Sequence, residues 1–307
     1  MQPVKGIALK LCSVLLFIVM SSLIKATAPQ VPAGQAVFFR SLFAMPVIFT
    51  WLALRGELKT GLKVHSKLSH FWRGFVGTAA MGLGFAALGL LPLPEVTAIG
   101  YAAPLLVVIF AAMFLGEPVG VFRLSTVALG LGGVLIILTP RLTLLSEETM
   151  QTTEAVGAIM VLMGAVCAAL AQIYVRKLVQ TEQTSAIVFY FSLTATLLSL
   201  LTLPFGWVIP AGREALLLIA AGLLGGAGQI FLTSSYRFAG ASVVAPFDYA
   251  SMLFALAIGY FVFAEVPTGR MLLGSAIVIF AGVLIILRES RLGLKRSKAR
   301  SGMTPQG

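Results

Sequence analysis

The sequence predicts an all-α integral membrane protein with ten transmembrane helices, arranged as two inverted repeats of five helices each. Three observations lead to this prediction. Of the 307 residues, 59% are hydrophobic and only 11% are Asp, Glu, Lys or Arg, whereas soluble domains carry roughly 25% charged residues. Ten apolar runs are long enough to cross a membrane, and a hexapeptide that closes the fifth run recurs at the end of the tenth.

The apolar runs have the length that a membrane requires, since a hydrocarbon core of about 30 Å needs roughly 20 apolar residues in a helix. They cover residues 6–26, 33–54, 74–93, 96–115 and 121–139, and then residues 155–175, 185–206, 215–236, 241–263 and 269–287. No run alternates apolar with polar residues, and each is about twice as long as a barrel strand. Helices are therefore expected instead of strands.

The distribution of Lys and Arg predicts the orientation, because positive residues in short loops are retained in the cytoplasm. With the amino terminus inside, only Lys25, Arg141, Arg213 and Arg270 fall on the external side. Sixteen basic residues fall on the cytoplasmic side: Lys5, Arg55, Lys59, Lys63, Lys67, Arg73, Arg123, Arg176, Lys177, Arg237, Arg288, Arg291, Lys295, Arg296, Lys298 and Arg300. Both termini are expected in the cytoplasm. The net charge of +11 is thus a topology signal, and we expect no nucleic-acid partner.

An internal repeat divides the chain. The hexapeptide GVLIIL occurs at Gly133–Leu138 and at Gly282–Leu287, and a shift of 148 residues also aligns Tyr101 with Tyr249 and the glutamate of LGEPVG with that of FAEVPTG. Residues 1–140 form the first repeat, 141–154 an external connector, 155–287 the second repeat and 288–307 a basic cytoplasmic tail. Because five is an odd number of spans, the second half enters the membrane inverted. Such repeats are typical of transporters, with the solute site near the midplane.

A longer motif carries a family resemblance. The pattern A-x-x-x-x-x-P-L-x-x-x-x-x-A-A-x-F-L-G-E at Ala98–Glu117, with its weaker echo up to Glu265, resembles the EamA type of the drug/metabolite transporter superfamily. The resemblance covers nearly the whole chain up to Leu287. A narrower stretch, Met20–Val47, is similar to bacterial riboflavin transporters of this type. The resemblance implies a carrier for a small metabolite in the bacterial inner membrane, with riboflavin as the first candidate.

Two charged residues inside spans are the leading site candidates. Arg40 lies seven residues into the second span, roughly 10 Å deep at 1.5 Å per residue, and Asp248 lies similarly deep in the ninth. Charges at a helix centre cost roughly 2.5 to 3.5 kcal/mol to insert, so they normally face a cavity or a partner. Both residues break the repeat, since Asp248 aligns with Gly100 and Arg40 with Tyr190. The alternative for Arg40 is snorkelling of its long side chain to the outer interface.

Four further residues are predicted to line the cavity, namely Tyr101, Tyr174, Gln229 and Tyr249. Aromatic faces together with an amide suit a flat heteroaromatic solute, although each residue alone also fits a role in helix packing. Pro104 and Pro246 free backbone carbonyls within their spans and indicate helix breaks or packed kinks.

The remaining polar residues are given ordinary roles. Lys10 and Lys25 lie near the two ends of the first span and are expected to snorkel. His65 and His70 fall in the basic second connector and are expected to be solvated.

The sequence favours a secondary transporter that works by rocking of the two halves. It contains no H-E-x-x-H or G-x-S-x-G motif and no phosphate-binding loop, which disfavours an intramembrane hydrolase and an ATP-driven pump. A channel or a structural membrane protein is the remaining alternative class. The runner-up substrate is an exported amino acid or similar polar metabolite, whose carboxylate Arg40 would hold. We expect no cofactor and no metal, and no partners beyond the small-molecule substrate and the lipid bilayer; nothing in the sequence indicates an oligomeric state.

Overall fold

The computed structural model describes residues 3–58, 60–115, 120–142, 149–238 and 245–301, and the regular secondary structure among these residues is entirely helical, with no strand. The α-helices are α1 (Pro3–Thr27), α2 (Ala33–Leu54), α3 (Lys67–Leu88), α4 (Leu93–Gly100), α5 (Ala102–Leu115), α6 (Val121–Leu142), α7 (Thr149–Thr181), α8 (Thr184–Ser199), α9 (Gly212–Phe238), α10 (Ala250–Phe263) and α11 (Gly269–Ser301). Two 3₁₀ segments, Leu200–Phe205 and Ala245–Tyr249, adjoin α8 and α10.

The helices have the length and composition of membrane spans. Seven stretches are long and apolar enough to cross a bilayer, and three shorter apolar stretches lie at Leu124–Thr139, Phe247–Phe263 and Gly269–Ile285. The prediction of an all-helical membrane protein is therefore confirmed. Glu117, residues 241–244 at the start of the predicted ninth span and residues 143–148 of the predicted connector lie outside the described residues, whereas residues 141–142 and 149–154 of that connector belong to α6 and α7.

The third helix begins earlier than the apolar run indicated, at Lys67 instead of residue 74. Ser66 is the reason, because its hydroxyl accepts a hydrogen bond from the backbone N–H of Ser69 at 3.4 Å and caps the helix. His70, for which a solvated connector is predicted, and Arg73, which is counted on the cytoplasmic side, consequently lie on α3, and their side chains are buried. The connector assignment for His70 is wrong.

The final helix is longer than predicted. The tenth span was expected to end at residue 287, with a basic tail after it, yet α11 continues as one helix to Ser301. The apolar pattern stops near Leu287, but Lys, Arg, Glu and Leu are good helix formers, so the helical conformation persists beyond the apolar segment.

Irregular segments, here called the helix breaks, precede α5 and α10 at matching places of the two halves. α4 ends at Gly100 and α5 begins at Ala102, so that Tyr101 lies in the turn between them. In the second half, the 3₁₀ segment Ala245–Tyr249 contains Asp248 and leads directly into α10. Asp248 thus lies in an irregular turn and not within an α-helix. Pro104 and Pro246 lie beside these breaks, as expected for residues that lack the N–H of a regular helical turn.

Helices from the two halves of the chain pack against each other. α1 lies against α9, α3 against α7, and α6 against α11, while α2 contacts both α8 and α9. At the contact of α6 with α11, a Cβ on Gly133 would lie 2.8 Å from the carbonyl oxygen of Gly274. These two helices therefore meet at a distance that only glycine permits. The largest apolar core joins buried residues of both halves, among them Tyr101 and Val278.

Candidate functional site

The two tyrosines that the repeat aligned meet at the helix breaks. The rings of Tyr101 and Tyr249 are 5.1 Å apart and edge to face at 69°. The Tyr101 hydroxyl donates to the carbonyl oxygen of Tyr249 at 3.3 Å and shares a hydrogen bond of 2.7 Å with the hydroxyl of Ser251. Gly282 leaves the space that the Tyr249 hydroxyl occupies. The pair therefore joins the two helix breaks through both ring contact and hydrogen bonding.

Beside this pair, Asp248 forms a salt bridge with Lys10 of α1, with Nζ and Oδ1 2.6 Å apart. The Lys10 side chain is 2% exposed and that of Asp248 is 37% exposed. Snorkelling of Lys10 to the interface, as predicted, is wrong, because the ammonium is held inside the bundle by the carboxylate. Removing one partner of a buried pair leaves an uncompensated charge, which typically costs 3–5 kcal/mol.

A second cluster of charge, the arginine cluster, consists of Arg40, Arg73 and Phe191. Arg40 on α2 is 2% exposed and Arg73 on α3 is 6% exposed. The guanidinium carbons lie 5.5 Å and 3.7 Å, respectively, from the centre of the Phe191 ring on α8. Two cations from neighbouring helices therefore converge on one aromatic ring, each with a favourable cation–π contact. Snorkelling of Arg40, the alternative considered for it, is wrong.

Most guanidinium nitrogens of the arginine cluster lack a hydrogen-bond partner among the described residues. Nε and Nη1 of both arginines are buried without a hydrogen-bond partner among the described residues, and Nη2 of Arg40 makes one long bond of 3.4 Å to the carbonyl oxygen of Gly225. An unsatisfied buried donor costs about 1–3 kcal/mol, and more when it is charged. Cation–π contacts offset only part of this cost.

Glycines make the room that the arginines occupy. A Cβ on Gly225 of α9 would lie 2.8 Å from Arg40 Nε and 2.8 Å from the sulfur of Met20, and a Cβ on Gly77 of α3 would meet the Arg73 guanidinium and the Phe191 ring. The cluster lies beside Met20, whose backbone is ten residues, or about 15 Å, along α1 from that of Lys10. The two charged clusters are separate.

One end of the bundle is closed by a network around Lys25. Its ammonium lies 2.9 Å from Glu265 Oε1 and donates to the carbonyl oxygens of Leu88 and Leu91 at 3.1 Å and 2.7 Å. Glu265 Oε2 in turn accepts from the backbone N–H of Leu93 at 2.9 Å. Snorkelling of Lys25 is therefore also wrong, because the side chain ties the end of α1 to the α3–α4 turn and to the end of α10.

The opposite end carries a buried carboxylate, Glu182, in the turn between α7 and α8. Its Oε1 accepts from the backbone N–H groups of His65 and Ser66 at 2.7 Å and 3.0 Å, and His70 Nε2 lies 3.7 Å away. Burial acts to raise the pKa of Glu182, but the hydrogen bonds from Ser66 and His65 and the nearby His70 hold it below the ordinary value. The carboxylate thereby anchors the beginning of α3 to the α7–α8 turn.

The predicted site residues are only partly brought together. Tyr101, Asp248 and Tyr249 form one cluster, whereas Arg40 lies in the other. Tyr174 is partly buried and Gln229 is buried. Within the described residues, no side-chain hydrogen bond or ring contact joins either of them to a cluster. The sequence analysis did not select Arg73 or Phe191 as site residues. Ser66, a residue type that caps helices, could have indicated that Arg73 lies within a helix.

Comparisons with known proteins identify the family. The sequence profile of the EamA-like transporter family matches residues 4–139 and again residues 155–288. The pseudopaline exporter CntI of Pseudomonas aeruginosa is 30% identical over 91% of this chain and 95% of its own length. The riboflavin transporter of Vibrio cholerae is 28% identical over 94% and 95%. The S-adenosylmethionine uptake transporter of Rickettsia felis is 26% identical over 84% of each chain.

A solved crystal structure shares the fold. It superposes with a TM-score of 0.67 over 94% of this chain and 98% of the other, at 21% sequence identity. The family is one of membrane transporters and not of enzymes. The family profile matches the chain twice, and the described residues include apolar helices of membrane-spanning length. The chain therefore belongs to the EamA-like transporter family.

Proposed function

We propose that the chain is a secondary transporter that moves a small metabolite by alternating access between two inverted halves of five helices. Seven long and three shorter apolar stretches supply ten spans, and the family profile matches twice. The helix contacts support a pseudo-twofold relation. Exchanging the halves maps the contact of α1 with α9 onto that of α7 with α3, which inverted repeats require.

The observation that carries this proposal is the meeting of the two helix breaks. Tyr101 and Tyr249 come from opposite halves and touch, with the Lys10–Asp248 pair beside them. Irregular backbone and charged residues occur inside a membrane where they are buried in protein or line a cavity or transport pathway. A small rotation of one half against the other would separate these contacts and open the pathway to the other side.

We place the chain in the bacterial inner membrane with both termini in the cytoplasm. The support is the asymmetry of Lys and Arg between the two sides. In this orientation the Lys25–Glu265 network, the end of α6 at Leu142 and the beginning of α7 at Thr149 lie on the external side, and the Glu182 anchor lies on the cytoplasmic side.

Riboflavin uptake is the first substrate hypothesis. The stretch Met20–Val47 resembles riboflavin transporters, and relatives in Vibrio cholerae and Rhizobium johnstonii carry that name. The aromatic surface of Tyr101 and Tyr249, with Tyr174 and Gln229 as further candidates, suits an isoalloxazine ring. This hypothesis requires the Tyr101 and Tyr249 rings to separate during the transport cycle, because in this conformation they are in edge-to-face contact with each other.

Export of an amino acid or related polar metabolite is the second substrate hypothesis. The arginine cluster favours it, because Nε and Nη1 of Arg40 and Arg73 are buried without hydrogen-bond partners among the described residues and guanidinium groups bind carboxylates strongly. The Pseudomonas aeruginosa relative is named an exporter, which supports this direction.

Counterflow in proteoliposomes tests the transporter proposal. Vesicles that hold the purified chain are loaded with unlabelled riboflavin or an unlabelled amino-acid mixture, and entry of the corresponding labelled solute is followed without ATP. A carrier gives a transient, saturable overshoot, whereas a channel gives equilibration that rises linearly with concentration. Growth of a riboflavin-auxotrophic host on low riboflavin separates the two substrates. If the host neither grows nor accumulates riboflavin, although the chain is present in the membrane, the riboflavin hypothesis is wrong. The counterflow assay with the amino-acid mixture would then still test whether the chain is a carrier.

A further inference from the structure

We infer that Arg40 and Arg73 bind an anionic group of the transported solute, a carboxylate or phosphate, so that the solute is an organic anion, as in the second substrate hypothesis, and not neutral riboflavin. This inference rests on the proposed function, because it assigns the substrate class of the same pathway. It is carried by the four guanidinium nitrogens that the described part of the protein leaves buried and unpaired.

The two arginines are placed as a pair. They come from adjacent helices, α2 and α3, and both lie against the single ring of Phe191 on α8. Each cation raises the cost of burying the other, because like charges repel most strongly where water is excluded. Packing alone does not require two cations at one ring, and an anion between them would remove both the repulsion and the unsatisfied donors.

Three acids of the described bundle are engaged elsewhere. Asp248 pairs with Lys10, Glu265 pairs with Lys25, and Glu182 accepts from backbone N–H groups. None of the described carboxylates forms a salt bridge with Arg40 or Arg73. Within the described residues, these two buried cations therefore have no carboxylate counterion.

Burial identifies a solute, and not a lipid, as the source of the anion. Arginines that bind lipid headgroups lie at the membrane surface, whereas these two are 2% and 6% exposed and their unpaired nitrogens are enclosed. Enclosure in this conformation is compatible with transport, because alternating access opens the midplane to one side at a time.

The test measures binding to the full chain in lipid nanodiscs by the shift of its melting temperature. The probes are two matched pairs, succinate with succinamide and riboflavin 5′-phosphate with riboflavin, and sodium chloride is titrated separately at the same ionic strength. We expect at least one of the two organic anions to stabilise the chain at concentrations at which its neutral counterpart does not. Arg40→Gln and Arg73→Gln should each weaken that binding by about 10- to 100-fold.

Three variants keep the result interpretable. Arg40→Lys and Arg73→Lys retain the positive charge and should recover part of the affinity, which a role in packing alone would not produce. Arg270→Gln removes an exposed arginine and should bind the anion as the wild type does. A Gln variant that does not yield a monodisperse peak is replaced by its Lys counterpart, for which a several-fold loss of affinity is expected.

Four results would overturn the inference: no stabilisation by either organic anion, equal stabilisation by the neutral counterpart, unchanged affinity in both Gln variants, or stabilisation by chloride alone. The counterflow assay shows whether the anion-site inference or the carrier proposal is wrong. If labelled solute shows saturable counterflow that both Gln variants retain, the carrier stands and the anion site falls. If the anion binds through the arginines but no solute shows counterflow, the site stands and the carrier falls.

Discussion

The buried charges of this bundle fall into two regions of opposite character. Lys10 with Asp248 and Lys25 with Glu265 are close pairs, at 2.6 Å and 2.9 Å. Around Phe191, by contrast, Arg40 and Arg73 bring two cations together with unpaired nitrogens. The paired region stabilises the arrangement of helices, whereas the arginine cluster costs stability. A costly group that is retained inside a bundle indicates a use outside folding.

The largest effect on the paired region is expected from Asp248→Asn. The amide keeps the volume but leaves the Lys10 ammonium, which is 2% exposed, without its carboxylate. We expect a loss of about 3 kcal/mol of stability, at the lower end of the range for buried pairs because Asp248 is partly exposed. We also expect transport to fall far more than membrane insertion. The measurements are unfolding by denaturant in lipid nanodiscs, and transport normalised to the amount of inserted protein.

The control for this prediction is the double variant Lys10→Met/Asp248→Asn, which removes both charges. It should recover most of the lost stability without recovering transport, because no isolated charge is left but the polar pair is gone. Equal stability of Asp248→Asn and the wild type, with full transport, would mean that the pair has neither role.

A smaller effect is expected from Lys25→Met. The substitution removes the salt bridge to Glu265 and the hydrogen bonds to the carbonyl oxygens of Leu88 and Leu91. Because the Lys25 and Glu265 side chains are each only 15% exposed, we expect a loss of about 2 kcal/mol. Hydrogen exchange should increase first in the α3–α4 turn, which the network holds. Exchange that increases uniformly, or not at all, would argue against a local tie.

The smallest effect is expected from Glu182→Gln. The pKa of Glu182 is held below its ordinary value in the folded chain, so the carboxylate contributes stability above the unfolded pKa and loses it as the pH falls through the folded pKa. We expect the variant to be less stable by about 1 kcal/mol at neutral pH. The difference from the wild type should shrink below about pH 4, near the ordinary value for Glu. A difference that stays constant from neutral to acid pH would contradict this explanation.

The sequence predicted the membrane helices, apart from several of their ends and the helix breaks before α5 and α10, and it predicted one contact of the site. Long apolar runs specify membrane spans because a bilayer requires them, and the repeat that aligned Tyr101 with Tyr249 corresponds to rings that touch. The Lys10–Asp248 pair was not predictable, because its members are far apart in sequence and near neighbours only in the folded bundle. Arg73 was missed because an apolar run does not include the polar first turns of a helix that Ser66 begins.

The most direct test of the division between paired and unpaired charges is the sign of the stability change in lipid nanodiscs without added anion. Removing a costly unpaired cation should stabilise the chain. Arg40→Gln and Arg73→Gln are each expected to raise its stability by about 1 kcal/mol, because the cost of the unsatisfied buried donors is larger than the cation–π contact that is lost. Asp248→Asn should lower it in the same assay. If both arginine variants instead lose stability as Asp248→Asn does, the arginines are structural and the division is wrong.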